Sequence, residues 1–344
     1  MELKGEVFYF LCHTVSKLNT LPGTDCALNT VLTDDNPLYP GIPFRPVDYS
    51  GQSSWTNLVS VLSEAVSALI SSRPADLIIA LGGDKLGQLI KIESDTSLLH
   101  RTLPLLFLQV QLPNVYTHQY LFATFAKSAV AAVESKSSLC VQSGLILLRR
   151  LLWPIGPGQL ETVNFELFNS LTDMSIHLPV QNVRLNGIVI LKYFIIRLSP
   201  RALYALFLHT LPSGSVKVAA FLIPHLKDFL LSKAADEMNL DLLWKEVLKV
   251  PEAGGGDIAT NIDRIMPTLN LLRGIKLAQK CPEEITPQIQ LYLEHVTTDI
   301  SEGRKYYEIE STQTTDQRKA AFFSHAMVQV DLVNSILQLV KKLF

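Results

Sequence analysis

The stretch FFSHAMVQVDLVNSILQLVKKLF, residues 322–344, decides the fold class. Within it Phe323, Ala326, Val330, Val333, Leu337, Val340 and Phe344 recur at alternating steps of three and four. That spacing places them on one stripe of an α-helix. Gln329, Asp331, Asn334 and Lys341 fall off the stripe. Burying six large apolar side chains at roughly 1.5–3 kcal/mol each contributes about 10–20 kcal/mol before chain entropy is subtracted. A terminal helix of this kind is expected to dock against the rest of the domain.

Working back from that helix, nearly every apolar stretch repeats at helical rather than strand spacing. Residues 185–198, LNGIVILKYFIIRL, are apolar almost all round, with Lys192 and Arg197 as the charged exceptions. A helix apolar on every side is expected to be buried. Ser199-Pro200 has the cap-then-proline order of a helix start, and the prolines at 179, 212 and 282 also stand near the start of apolar-periodic runs. Helices are expected near 3–18, 54–72, 75–92, 95–111, 117–134, 136–152, 159–176, 179–197, 200–210, 213–232, 239–249, 257–279, 284–310 and 316–343. From 117 to 232 they fall into antiparallel pairs about 40 residues apart, a period that suits stacked helical repeats. The expected fold is all-α: a HEAT/armadillo-like α-solenoid of irregular helix pairs with a carboxy-terminal helical bundle.

Three regions are expected. Residues 1–53 hold one orphan helix and a proline-rich linker, with Pro22, Pro37, Pro40, Pro43 and Pro46 in a stretch without periodicity. Residues 54–250 form the HEAT-like repeats, and residues 251–344 the helical partner-binding region. A solenoid begins with a capping repeat, and the orphan helix does not resemble one. Further repeats are therefore expected upstream of residue 1.

Composition narrows the function. Of 344 residues, 48% are apolar and 18% charged, below the roughly 25% charge of an average soluble domain. A net charge of -2 excludes a chain-wide nucleic-acid binder, and the apolar content excludes a disordered scaffold. Cys12, Cys26, Cys140 and Cys281 are scattered without zinc or dithiol spacing, so they read as reduced thiols in the cytosol or nucleus, and a cytoplasmic location is expected. The longest uncharged window, 102–126, contains Pro104 and Pro113 and the polar Gln109, Gln111, Asn114, His118 and Gln119, which makes it a poor membrane span. No nucleic acid and no membrane are expected as partners. Residues 101–250 carry 14 basic against 9 acidic groups, which reads as ordinary solvated faces in preference to one basic face of a concave surface.

The search for chemistry returns little. LGGDKLGQL at 81–89 has the glycine spacing of a phosphate loop, but Gln88-Leu89 stand where Lys-Ser/Thr must follow. Gly82-Gly83 is better read as a helix break with Asp84 as the next cap. The eight histidines show no HxxxH or HExxH spacing, and no GxSxG elbow occurs. His209 and His225 sit inside apolar helical runs and are expected in a core or groove. No enzyme and no cofactor are expected.

One segment is more specific. Asp263-Arg264-Ile265-Met266-Pro267-Thr268-Leu269-Asn270-Leu271-Leu272-Arg273 resembles the DRIM-x-x-LNLLR segment of the glomulin family, which includes the plant lateral-root and fungal Yap-binding proteins. Two further segments agree in order. Phe323 to Met327 with Asp331 to Leu337 is similar to the family's last helix, and Tyr204 to Phe207 through Ala220 to Ile223 to an earlier helix pair. Weaker similarity reaches back to about residue 100. The polar residues in the first segment are ones that helix packing alone would not select.

The resemblance implies a non-enzymatic role. It implies binding of the RING-box subunit of cullin–RING ubiquitin ligases, so that the ubiquitin-conjugating enzyme cannot dock. The RING supplies the zinc, and this chain acts as a monomer without metal. The alternative is a helical scaffold for another client, such as an immunophilin, a receptor tail or a redox transcription factor. The candidate contact residues are Asn270 and Arg273 in the shared segment, Arg304, Lys305 and Tyr307 in the next helix, and His325 and Asn334 in the last. Arginine and tyrosine are favoured because they dominate interface hot spots.

Overall fold

A computed structural model describes residues 117–135, 138–213, 215–249 and 258–344. The helices expected before residue 112, the proline-rich stretch and the glycine loop at 81–89 lie outside the described residues. Ten α-helices are described, and among these residues there is no β-strand. They are α1 (His118–Val133), α2 (Ser138–Leu152), α3 (Phe165–His177), α4 (Gln181–Arg197) and α5 (Pro200–Thr210), then α6 (Val216–Leu231), α7 (Asp241–Val247), α8 (Ile262–Leu277), α9 (Thr286–Gln313) and α10 (Gln317–Lys341). The described residues are all-α. The chain divides into two compact units, the first ending at Ser199 and the second running from Pro200 to Phe344. The division expected at residue 250 is bridged by the packing of α6 on α8.

In the first unit α1 packs on α2 and α3, α2 on α4, and α3 on α4. Two successive hairpins thus lie side by side with like helices touching. Leu121, Phe125, Leu167, Phe168, Ile190 and Phe194 form the core, and the Phe122 and Phe194 rings stack 6.0 Å apart. Helix starts follow from local chemistry. Thr117 Oγ1 accepts from the Tyr120 N–H at 3.3 Å, and Asn164 Oδ1 accepts from Leu167 N–H at 2.9 Å, filling donors that the first turn leaves open.

Two expectations for this unit are corrected. Helix α3 begins at Phe165 rather than 159, because Leu160 forms a parallel bridge with Leu198. Its N–H donates to the Arg197 carbonyl at 2.7 Å, and its carbonyl accepts from Ser199 N–H at 2.8 Å. Gly158, at φ 74°, makes the turn that delivers Leu160, a conformation open to glycine. Helix α4 is buried on most of its circumference, yet Lys192 and Ile196 face solvent. Its last residue, Arg197, is buried, and Nε donates to the Leu152 carbonyl at 3.2 Å.

In the second unit α6 packs on α8, α8 on α10, and α9 on α10, while α5 touches α6 and α7. Helix α5 starts at Pro200 as its sequence requires. Helix α6 starts at Val216, three residues later than expected, where Ser215 Oγ accepts from Val218 N–H at 3.5 Å. Asp316 caps α10 through Arg318 N–H at 2.8 Å. On α10, Ala326, Val330, Val333, Leu337 and Val340 are buried as read from the sequence, with Phe323 and Phe344 half-buried at its ends. Of the two expected core or groove histidines, His225 is half-buried edge-on against Phe221 at 5.4 Å, whereas His209 is exposed.

Candidate partner-binding surface

Helix α8 carries the segment that the sequence singled out. Ile265, Leu269, Leu271, Leu272 and Ile275 are buried, which fixes its inner face. Asp263, Asn270, Arg273 and Leu277 are exposed and Met266 half-buried, at steps of three and four along the opposite face. The side chains of Asp263, Asn270 and Arg273 make no hydrogen bond or ion pair in the described structure. Leu277, 61% exposed, closes this face at its carboxy-terminal end. A solvated strip of acid, amide and guanidinium beside an apolar end suits reversible protein contact.

The segment's other two polar residues behave differently. Arg264 is buried, and its Nη2 donates to the Glu246 carbonyl oxygen at 2.7 Å. Burial draws its guanidinium pKa below the ordinary value, while Tyr292 and Glu246 oppose that shift. Thr268 Oγ1, also buried, donates to the Arg264 carbonyl at 2.9 Å. Tyr292 lies buried beside them, and burial raises its phenol well above the usual range, against the pull of Thr268 and Arg264. Two of the segment's five polar residues, Arg264 and Thr268, therefore serve packing.

The remaining candidates separate. Tyr307, nominated as a contact, is 1% exposed and belongs to the core. Its hydroxyl accepts from the Ala259 N–H at 3.1 Å, and its ring lies 6.2 Å from Phe323. The aromatic on the surface here is its neighbour Tyr306. Arg304 and Lys305 are exposed, and Arg304 Nε meets Asp331 Oδ1 at 3.1 Å, linking α9 to α10. Asn334 is half-buried one turn beyond Asp331 and accepts from Gln338 Nε2 at 3.3 Å. His325 is exposed, but nine residues at about 100° each turn it roughly 180° away from Asn334. Those two cannot share one flat surface.

Two features had no reading from the sequence. An open cleft of about 570 Å³ in the second unit is lined by Asp236, Met238, Trp244, Lys280, Cys281 and Glu284, among others. Trp244 Nε1 is buried there without a hydrogen-bond partner, and Lys280 Nζ bridges the Asp236 carboxylate and the Ser232 carbonyl, each at 3.1 Å. Burial raises the Cys281 thiol pKa, against the opposing charge of Lys276. The second feature is a row of exposed apolar residues along α10, including Val328, Leu332 and Leu339. A second series of four-and-three steps in the same sequence was its signal. Among the described residues no three His, Cys, Asp or Glu side chains gather in a way that would hold a metal ion.

The chain matches no protein-family model and no curated protein.

Proposed function

We propose that this all-α chain is a glomulin-like regulator that binds the RING-box subunit of cullin–RING ubiquitin ligases and blocks the ubiquitin-conjugating enzyme. The observation carrying the proposal is the outward face of α8, where Asp263, Asn270 and Arg273 of the resembling segment stand exposed with no partner in the described structure. The pairing of like helices within each unit supports the HEAT-like repeat arrangement that this reading carries with it. The mechanism is steric. An interface of about 800 Å² per partner is enough to exclude a second protein from the same RING surface. No covalent step and no cofactor are required of this chain.

Two measurements test the proposal. Immobilised RING-box subunit should retain the chain, and added chain should suppress ubiquitin-chain formation by a reconstituted ligase. No retention at micromolar concentrations of folded protein overturns the reading. Retention without suppression would leave a binding protein and refute the blocking mechanism.

A further inference from the structure

The cleft of the second unit is held together by the chain itself. One wall comes from the segment between α6 and α7 and from Trp244 of α7, the other from residues 279–285 that follow α8. Helix α8 ends at Gln279, φ 56°, where the Gln279 N–H donates to the Lys276 carbonyl at 3.1 Å and the Lys280 N–H to the Ile275 carbonyl at 2.9 Å. That closure stops the helix and turns the chain into the cleft wall. Lys280 Nζ ties the two walls, donating to the Ser232 carbonyl at 3.1 Å and to both Asp236 carboxylate oxygens at 3.1 and 3.3 Å.

The lining has three chemical demands. Trp244 is 2% exposed, and its Nε1, a group that only donates, has no acceptor. Buried donors are ordinarily paired, so this one is open to an acceptor brought by a ligand. Leu230, Met238 and Ile285 give the same cleft apolar surface. Its charges are Asp236, Asp241 and Glu284 against Lys280, and Asp236 already neutralises Lys280. Asp241 and Glu284, both exposed and without an ion pair in the described structure, leave the cleft net negative.

We propose that the cleft binds a short peptide segment of another protein, in which an apolar residue stands beside an arginine or lysine. A main-chain carbonyl of that segment accepts from Trp244 Nε1, the apolar side chain lies against Met238 and Ile285, and the cation meets Asp241 and Glu284. A phosphate or carboxylate could also accept from the indole, but the two carboxylates repel it, whereas a peptide carbonyl is neutral. The indole nitrogen is closed to water, so binding includes a local shift of side chains at the wall. The cavity of about 570 Å³ falls within the roughly 300–1,000 Å³ of sites that enclose small ligands. It holds a few residues in extended form, not a helix or a domain. The proposal stands independently of the RING-box reading, because it is tested with peptides alone.

Two pools of acetylated, amidated tetrapeptides test it on the full chain: Ala-X-Arg-Ala and Ala-X-Glu-Ala, with X as leucine, methionine or phenylalanine. The readout is the indole ¹H–¹⁵N signal of Trp244, assigned by elimination with Trp55→Phe and Trp153→Phe, the other two tryptophans. The arginine pool should move that signal saturably, with half-saturation below about 1 mM, and the glutamate pool should leave it in place at about 5 mM. Asp241→Asn combined with Glu284→Gln, both exposed side chains, should weaken the arginine pool about three- to tenfold with little change in melting temperature. An unmoved signal with the arginine pool overturns the proposal, as does equal movement with the glutamate pool. Undiminished binding of the arginine pool to the double variant refutes the assigned role of the two carboxylates and with it the proposed ligand class.

Discussion

The guanidinium of Arg264 reaches from α8 to the main-chain carbonyl of Glu246 at the end of α7, 2.7 Å away. The carbonyl of Arg264 receives the Thr268 hydroxyl one turn on, and Tyr292 of α9 is buried against the same group. One side chain thus couples three helices of the second unit. Glu246 Oε2 is itself buried without a hydrogen-bond partner in the described structure.

Removing that side chain should be costly. A hydrogen bond to a charged group contributes about 1.5–3 kcal/mol, and Arg264→Ala leaves the Glu246 carbonyl without its donor. The expected outcome is a loss of about 2–3 kcal/mol in denaturant unfolding, with Arg264→Lys recovering only part, because lysine lacks the planar fork. A variant as stable as wild type would refute the coupling.

Two glycines separate steric need from mere absence of a side chain. A Cβ at Gly303 would lie 2.4 Å from Ile258 Cγ2 and 3.1 Å from Ile258 Cβ, atoms next to the backbone that cannot swing aside. Gly303→Ala should therefore destabilise by about 1–3 kcal/mol despite its better helix propensity. At Gly274 the nearest atoms belong to the flexible Lys227 chain at 3.1 Å. Gly274→Ala should be neutral or gain up to about 1 kcal/mol. Equal effects of the two changes on chemical unfolding would contradict the packing described.

Asp299 supplies the pH dependence. Burial raises its carboxyl pKa, Glu302 adds to the rise, and His295 opposes it. A fold that raises a carboxyl pKa favours the protonated form. The resulting penalty is absent below the ordinary carboxylate range and complete once pH exceeds the raised value. Asp299→Asn should raise the melting temperature at pH 7 by a small margin, since the group is only half-buried. The margin should vanish near about pH 3, where the wild-type carboxyl is neutral. A gain that persists unchanged in acid would point to another cause.

Arg273 is the sharpest test of the proposed function. It is exposed and makes no ion pair in the described structure, which removes the internal charge pair as an account of its place in the segment. Arg273→Ala should weaken RING-box binding by about 1–3 kcal/mol, roughly 5- to 150-fold, with little change in melting temperature. Tyr307→Phe should do the reverse, losing about 1 kcal/mol of stability with the Ala259 contact and leaving affinity unchanged. Unaltered affinity in Arg273→Ala would exclude it as an anchor.

Much of the helical plan was legible because its signals are local. The bounds of α5 follow from Ser199-Pro200, and the buried stripe of α10 from its period. The start of α3 was not legible, since Leu160 leaves the helix to pair with a residue 38 positions later. Tyr307 shows a second limit. A tyrosine at helical spacing can offer its ring to the core and its hydroxyl to a buried amide, and sequence does not separate this from a surface tyrosine. Helix α10 shows the third. Its periodicity identifies residues that share a face, but two apolar faces of one helix look alike until packing selects one.

The bridge at Leu160 and Leu198 also gives the first unit a built-in reporter. The N–H groups of Gly158, Leu160 and Ser199 lie outside the helices, yet donate to Ile196, Arg197 and Leu160 at 3.1, 2.7 and 2.8 Å. All three bonds join residues 158–160 to the carboxy-terminal end of α4, so they open together when those two segments part. Their deuterium uptake should follow one shared, slow rate set by cooperative opening of the two hairpins, while neighbouring loop amides exchange within seconds.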